Sequence, residues 1–385
     1  MMREVFIVSD NIISPLGFTT EDNFYQVSQK KSGISHHNEQ RYSTNPFYAS
    51  LLNQEQNNKL DNCTSSKTFY TKFEKLLIQS ISTALEGTQV NPRDVETGLV
   101  ISTTKGNIGL LETEESSEEL RERVALYTSA KLVAEYFGFA TMPIVVSNAC
   151  ISGLTALLTG KRMIQSGKYK NMIVTGADVI SRFILSGFQS FQAVSDKPCK
   201  PFDKDRKGVT LGEASATIIL SCENQKENHS IEFVSGAVSN DANHISGPSR
   251  TGKELCIAVN KALRDAKLSA RDIGFISAHG TATVYNDEME AKAFSLSNLQ
   301  EIPVNSLKGY YGHTLGAAGI VESIVSVHSL KKDIVLPTAG FEQSGVSTNI
   351  NICNTLLSIK SDAVLKTASG FGGCNAAVIF KRSYS

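Results

Sequence analysis

The 385-residue chain has no excess of either charge: Lys+Arg and Asp+Glu both number 38. Nucleic-acid binders usually show a basic surplus, so that class loses ground. No run approaches the roughly 18 apolar residues that a spanning helix needs, which excludes membrane insertion by a helix. Residues 1–9 are a short strand-like run without a basic region, apolar stretch and small-residue cleavage site. The seven cysteines are odd in number and include no C-x-x-C pair, so neither a disulfide framework nor a metal site is indicated. A reduced, cytoplasmic setting is the expectation. There is also no short repeat and no low-complexity linker. What remains is an ordinary globular balance, 41% hydrophobic and 20% charged, over a length that reads as two domains or two fused halves.

Local patterning supports the second reading. Residues 5–8 form an apolar run of strand length that leads into the turn Ser14-Pro15-Leu16-Gly17. Residues 39–62 are rich in Asn and Gln and read as a surface loop or cap. Phe73, Leu76, Leu77, Ile81, Ala84 and Leu85 repeat at helical spacing, so 73–85 is expected to be a core-facing helix. The acidic stretch 112–122 reads as a solvated helix face. Strand and helix then alternate, with strands at 99–103, 143–146, 172–175 and 214–220 and a helix at 151–165. A second series follows a break near 221–229: strands at 231–238 and 275–277, a helix at 317–330 and a last strand at 376–381. Such alternation predicts mainly parallel sheets covered by helices.

Four segments carry chemistry. In Ser147-Asn148-Ala149-Cys150-Ile151-Ser152-Gly153, an apolar strand gives way to a helix, which places Cys150 at a helix N-terminus. The partial positive charge there is expected to stabilise a thiolate. A buried structural cysteine is the default for Cys63, Cys222, Cys256 and Cys353. At Cys150 both readings stand on local context alone. Ala278-His279-Gly280-Thr281-Ala282-Thr283 puts His279 at a strand's C-terminal end, the edge where open α/β sheets bind ligands, although a lone histidine is more often structural. Asn305-Ser306-Leu307-Lys308-Gly309-Tyr310-Tyr311-Gly312-His313 presents His313 on a Gly-rich loop before a helix of small and apolar residues. Glu322 lies deep in that helix and needs a partner; Lys308 is the candidate. Ser369-Gly370-Phe371-Gly372-Gly373-Cys374-Asn375 offers a backbone N–H to an oxyanion and places Phe371 over the nucleophile.

In this order, and with Pro201-Phe202-Asp203-Lys204-Asp205-Arg206 leading to Leu211-Gly212-Glu213, the segments resemble the elongating Cys–His–His β-ketoacyl-[acyl-carrier-protein] synthases. The likeness covers nearly the whole chain. It implies the thiolase fold: α/β, two similar mixed-sheet halves in layered α-β-α-β-α order, here 1–225 with Cys150 and 226–385 with both histidines. It also implies roles. Cys150 takes the acyl chain as a thioester. His279 and His313 stabilise the enolate left when malonyl loses CO2. The N–H groups of Cys150 and Phe371 form an oxyanion hole, Lys308 and Glu322 organise the histidines, and Phe371 gates. Thr281 and Thr283 contact the phosphopantetheine arm, with Gly372 and Gly373 as further substrate-binding positions. No metal or organic cofactor is implied, since the substrate travels on an acyl carrier protein. A homodimer, or a heterodimer with a second ketosynthase-like chain, is implied as well.

The chain departs from the family at two points. Ala282 stands where Gly is frequent, which is expected to narrow the pantetheine channel slightly. Cys374 stands where Thr is usual; degradative thiolases carry a second catalytic cysteine in this half, but they lack the Lys308 and His313 pattern. His313 likewise disfavours a Cys–His–Asn initiating synthase. Ser186-Gly187-Phe188-Gln189-Ser190-Phe191 resembles ketosynthases of aryl polyene or flexirubin-type pigment clusters. The alternatives are a chain-length-factor-like partner without catalysis, and a coenzyme A thiolase. Lys200, Lys67 and Lys72 are candidates for meeting an acidic carrier protein, each equally readable as plain solvated surface.

Overall fold

The computed structural model describes residues 3–64, 68–224, 230–242 and 246–384. Ten strands hydrogen-bond in one continuous order, and the order has an internal symmetry. The N-terminal arm contains β1 (Phe6–Ile13), β2 (Thr97–Ser102), β3 (Ile144–Val146), β4 (Asn171–Asp178) and β5 (Ala214–Ser221). The C-terminal arm contains β6 (Ser230–Asn240), β7 (Phe275–Ser277), β8 (Val304–Asn305), β9 (Ala363–Gly370) and β10 (Cys374–Ser383). The arms run β1-β5-β4-β2-β3 and β6-β10-β9-β7-β8. In each, the first two pairings are antiparallel and the last two parallel. The arms meet where Phe6 and Ile7 of β1 pair with Glu232 and Ile231 of β6. The sheets are therefore mixed, and the mainly parallel sheets expected from strand–helix alternation are corrected. Each arm carries two antiparallel pairings that periodicity alone does not reveal. The domain boundary expected at 225/226 lies outside the described residues.

Six helices complete the layers that matter here: α1 (Lys72–Leu85), α2 (Ser152–Gln165), α3 (Arg182–Ser190), α4 (Lys253–Ala266), α5 (Val284–Leu296) and α6 (Ala318–Lys331). α1 covers the outer face of the N-terminal arm and α4 that of the C-terminal arm, while α2 and α6 lie between the arms. Strand alternation explains the split. Val174, Ile218, Val364 and Val378 face the central helices, whereas Ile173, Ile219, Leu365 and Ile379 face outward. α1 begins at Thr71, whose side chain caps Glu74 N–H while the Glu74 side chain returns to the Thr71 N–H. α6 is apolar nearly all round and buried along its length, as a helix between two sheets must be.

The central helices touch backbone to backbone. A methyl group at Gly153 would stand 2.9 Å from Ile320 N, and one at Gly319 would stand 2.7 Å from Leu154 N. This close approach sets the N-terminal ends of α2 and α6 side by side. Two expectations fail in detail. Residues 39–62 are more than a polar loop: they hold the strand Phe47–Ser50 and the helix Gln54–Asp61, which is capped reciprocally by Asn53 and Gln56. The stretch 112–122 is interrupted, with a 3-10 turn at Ile108–Glu112 and a helix only from Glu118–Val124.

Candidate active site

Each functional side chain sits where a strand hands over to a helix. Cys150 follows β3 and precedes α2; His313 occupies the matching place between β8 and α6, and His279 follows β7. Ala149 adopts a left-handed φ of +44°, which turns Cys150 toward the cavity. The Cys150 sulfur, one ring nitrogen of His279 and one of His313 all lie within 4.8 Å of one another. The two imidazole centroids are 5.2 Å apart and nearly perpendicular.

The surroundings decide the tautomers. Nδ1 of His313 accepts the Leu315 N–H at 3.3 Å, and Nδ1 of His279 faces Lys308 Nζ at 3.2 Å. Both protons therefore sit on Nε2. The buried Nε2 of His313 has no hydrogen-bond partner among the described residues. Burial, reinforced by the Lys308 cation, holds both rings well below the usual histidine range, so they are neutral donors. The same three atoms could in principle gather a metal ion, but Nε2–H groups present no lone pair to one. The geometry favours two N–H donors aimed at an anion.

The Lys308–Glu322 pair is present at 2.6 Å, and Lys308 Nζ also donates to the His279 carbonyl at 2.7 Å. Thr281 and Thr283 line the cavity and bond to each other at 2.9 Å; Thr283 also caps α5. Phe371 separates this cavity from a second, mostly apolar chamber floored by Ala149, Cys150 and Leu315 and walled by Phe183 and Phe188. Its ring stacks on Phe188 at 5.6 Å and meets Phe191 edge-on at 5.4 Å. Gly373 lines the cavity; Gly372 is exposed and does not. An outer groove bounded by Phe191, Lys207, Thr283 and Tyr285 continues the cavity to the surface.

Several expectations are corrected. The resting Cys150 is not a stabilised thiolate: burial pushes its thiol up to about 11, against the Lys308 cation and a hydrogen bond from the Phe371 N–H. Ala282 is fully buried with φ +61° and lines none of these cavities, so it does not narrow the channel. Lys72 is drawn to the buried Glu213 at 2.5 Å, and Lys200 pairs with Glu342 at 3.1 Å. Lys200 does share a surface depression with Lys197 and Lys207. Lys67 lies outside the described residues. The Cys374 thiol donates to Asn148 Oδ1 at 3.0 Å.

Four contributors were missed. Glu290 accepts the N–H groups of His279 and Gly280 at 2.8 and 2.7 Å. Asp178 ties Thr103 to the Gly316 N–H at 2.7 Å each. Phe188 packs against both Phe371 and His313. Lys366 reaches Glu322 Oε2 at 2.6 Å. The last had a readable signal, a lysine sharing strand parity with Val364 and Ala368.

Residues 2–226 match the family model for the N-terminal domain of β-ketoacyl synthase, and 231–342 that for its C-terminal domain. The chain belongs to the β-ketoacyl synthase family. As a family member it is an acyltransferase with the thiolase fold. It is 30% identical to 3-oxoacyl-[acyl-carrier-protein] synthase 2 of Vibrio harveyi over 99% of both chains. It is 33% identical to the tetracenomycin polyketide synthase ketoacyl synthase alpha subunit of Streptomyces glaucescens, over 62% of this chain and 59% of that one. Among solved structures, a ketosynthase in complex with its chain length factor from Xenorhabdus doucetiae is 25% identical. It has a TM-score of 0.82 and covers 99% of this chain and 98% of that chain. A type II polyketide ketosynthase in complex with its acyl-carrier protein has the same fold, with a TM-score of 0.87 at 22% identity over 100% of both chains.

Proposed function

We propose that this β-ketoacyl synthase joins an acyl group carried on Cys150 to a malonyl unit on an acyl carrier protein, releasing CO2 and 3-oxoacyl carrier protein. The observation that carries the reading is the convergence of one thiol and two Nε2–H donors in a single buried cavity. The Cys150 sulfur attacks the incoming thioester, and its proton leaves on the departing pantetheine thiol. Malonyl decarboxylation then sends charge to the thioester oxygen, where His279 and His313 donate. One such donor is typically worth 10²–10³ in rate. The carbanion attacks the Cys150 thioester; sulfur departs and regains a proton from solvent. The N–H groups of Cys150 and Phe371 receive the tetrahedral oxyanion.

Thr281, Thr283 and Gly373 line the path of the pantetheine arm, and Lys207 borders its outer groove for an acidic carrier, with Lys200, paired to Glu342, in the adjoining depression. No cofactor beyond the carrier's own phosphopantetheine enters these steps. The half-buried edge strand β3 leaves backbone groups for a partner chain, as a homodimer or with a second ketosynthase-like subunit. A reducing cytoplasm suits a free nucleophilic thiol. The aromatic wall of Phe183, Phe188, Phe191 and Phe371 suits unsaturated or aryl chains of a pigment-type pathway.

Intact-mass analysis after incubation with a panel of acyl-carrier thioesters tests both levels. Loading of Cys150, absent in Cys150→Ala, is expected, with polyunsaturated or aryl chains preferred. A preference for saturated long chains would remove the pigment assignment alone. No loading by any chain, with product formation intact in Cys150→Ala, would make the chain a non-catalytic partner.

A further inference from the structure

Beneath the imidazoles lies an ionic arrangement with one carboxylate and two lysines. Glu322 offers Oε1 to Lys308 and Oε2 to Lys366, both at 2.6 Å, and both ammonium groups are wholly buried. Lys366 also donates to the carbonyls of Ser277 and Ala278 at 3.2 and 3.0 Å, the last residue of β7 and the one between it and His279. Register fixes this reach: Lys366 of β9 pairs with Ser277 of β7, and its side chain points to the central layer with Val364 and Ala368. A fully buried lysine carries a large desolvation cost unless it is paired and hydrogen-bonded. Lys366 has three oxygen partners, and none of them is solvent.

We propose that Lys366 is a positioning residue of the condensation chemistry: it clamps the end of β7 and Glu322 together, and it sets a second cation beside Lys308 behind His279 and His313, where the facing carboxylates are Glu322 of α6 and Glu290 of α5. This rests on the condensation reading above. The second cation has two consequences. It opposes protonation of the adjacent rings, consistent with the direction of both histidines and with Lys366 among its causes. It also favours the anion that decarboxylation creates in front of those rings. Lys308 alone would be offset by Glu322.

The test is Lys366→Met in the full-length protein, read by malonyl-carrier decarboxylation and by Cys150 acyl loading, each across pH 5–9. Removing the charge stabilises imidazolium, so the acid limb of decarboxylation is expected to move up by about one pH unit. Decarboxylation at pH 6 should fall about tenfold or more, with a smaller loss at pH 8 and acyl loading within threefold. Lys366→Gln, which keeps polar contacts without charge, should show the same limb shift. Adding Glu322→Gln to Lys366→Met should restore part of the acid limb, because Lys308 then no longer faces the Glu322 carboxylate. Equal losses in both half-reactions without a moved limb would overturn the inference, as would an unchanged profile or failure of both single variants to fold. A wild-type protein that does not decarboxylate malonyl carrier would instead sink the condensation reading itself.

Discussion

The two arms are built alike and equipped differently. β3 with α2 and β8 with α6 are equivalent strand–helix junctions, yet one presents a thiol and the other an imidazole. At the ends of β2 and β7 the contrast repeats: Thr103 and Thr104 are spent on Asp178, whereas His279 faces the cavity. The connections differ most. β9 returns to β10 through residues 371–373, a tight turn that sets Phe371 in place, while β4 reaches β5 only after residues 179–213, which lay α3 and Phe188 over the site. A shared topology thus supplies positions, and under the proposed function the side chains would divide the reaction: acyl storage in the first arm, enolate stabilisation in the second.

Breaking that division should give the largest effects. Cys150→Ala should abolish acyl loading and lower condensation by at least about 10³-fold, while malonyl decarboxylation persists because its donors belong to the other arm. His313→Ala should do the converse, lowering decarboxylation by roughly 10²–10³ with loading retained. Parallel mass-spectrometric loading and CO2-release assays distinguish the two; equal loss of both activities in either variant would refute the separation.

pH should sharpen the contrast through stability. Both imidazoles are held well below 6.5 in the folded chain. Their contribution is therefore complete above pH 6.5 and is lost as pH falls, because the unfolded chain binds protons the folded site refuses. In urea melts between pH 6.5 and 5, His313→Gln should flatten the acid slope by about 1.4 kcal/mol per pH unit. Cys150 acts at the other end. Its pKa rises from 9.0 to about 11 on folding, so its contribution is intact below pH 9 and lost as pH climbs toward 11. Cys150→Ala should weaken that alkaline decline.

Phe371→Ala removes two aromatic pairs and merges the two chambers. A stability loss of about 1–3 kcal/mol is expected, together with weaker discrimination between acyl chain lengths in competitive loading. The smallest effect should come from Ala282→Gly. Relief of a left-handed alanine, roughly 1–2 kcal/mol, is offset by a lost buried methyl and a freer unfolded chain. Thermal unfolding should shift by under about 1 kcal/mol, and KM for malonyl carrier should not change.

Much of this was legible from residue order. The helix at 73–85 and the strands at 99–103, 172–175 and 214–220 announce themselves because packed faces impose a period on the apolar residues. Cys150 and His279 stand out because each follows a strand beside small residues, and His313 because a Gly-rich loop presents it before a helix. The rest depends on partners remote in the chain. Glu290 reads as an ordinary helical glutamate until the N–H groups of His279 and Gly280 meet it. Residues 54–61 are polar on nearly every side, so their helix has no apolar stripe to betray it and is recognised only by its reciprocal cap. α3, α4 and α5 also went unread.

The contact of Gly153 with the α6 backbone bears on how substrates come and go. Two helices seated main chain on main chain leave no hinge between the arms, and a swing wide enough to admit a carrier-bound chain would pull apart the junctions that hold thiol and imidazoles together. Under the gating role that the family resemblance implies for Phe371, traffic would pass through a rigid body and be regulated locally by rotation of that ring rather than by jaws that open and shut.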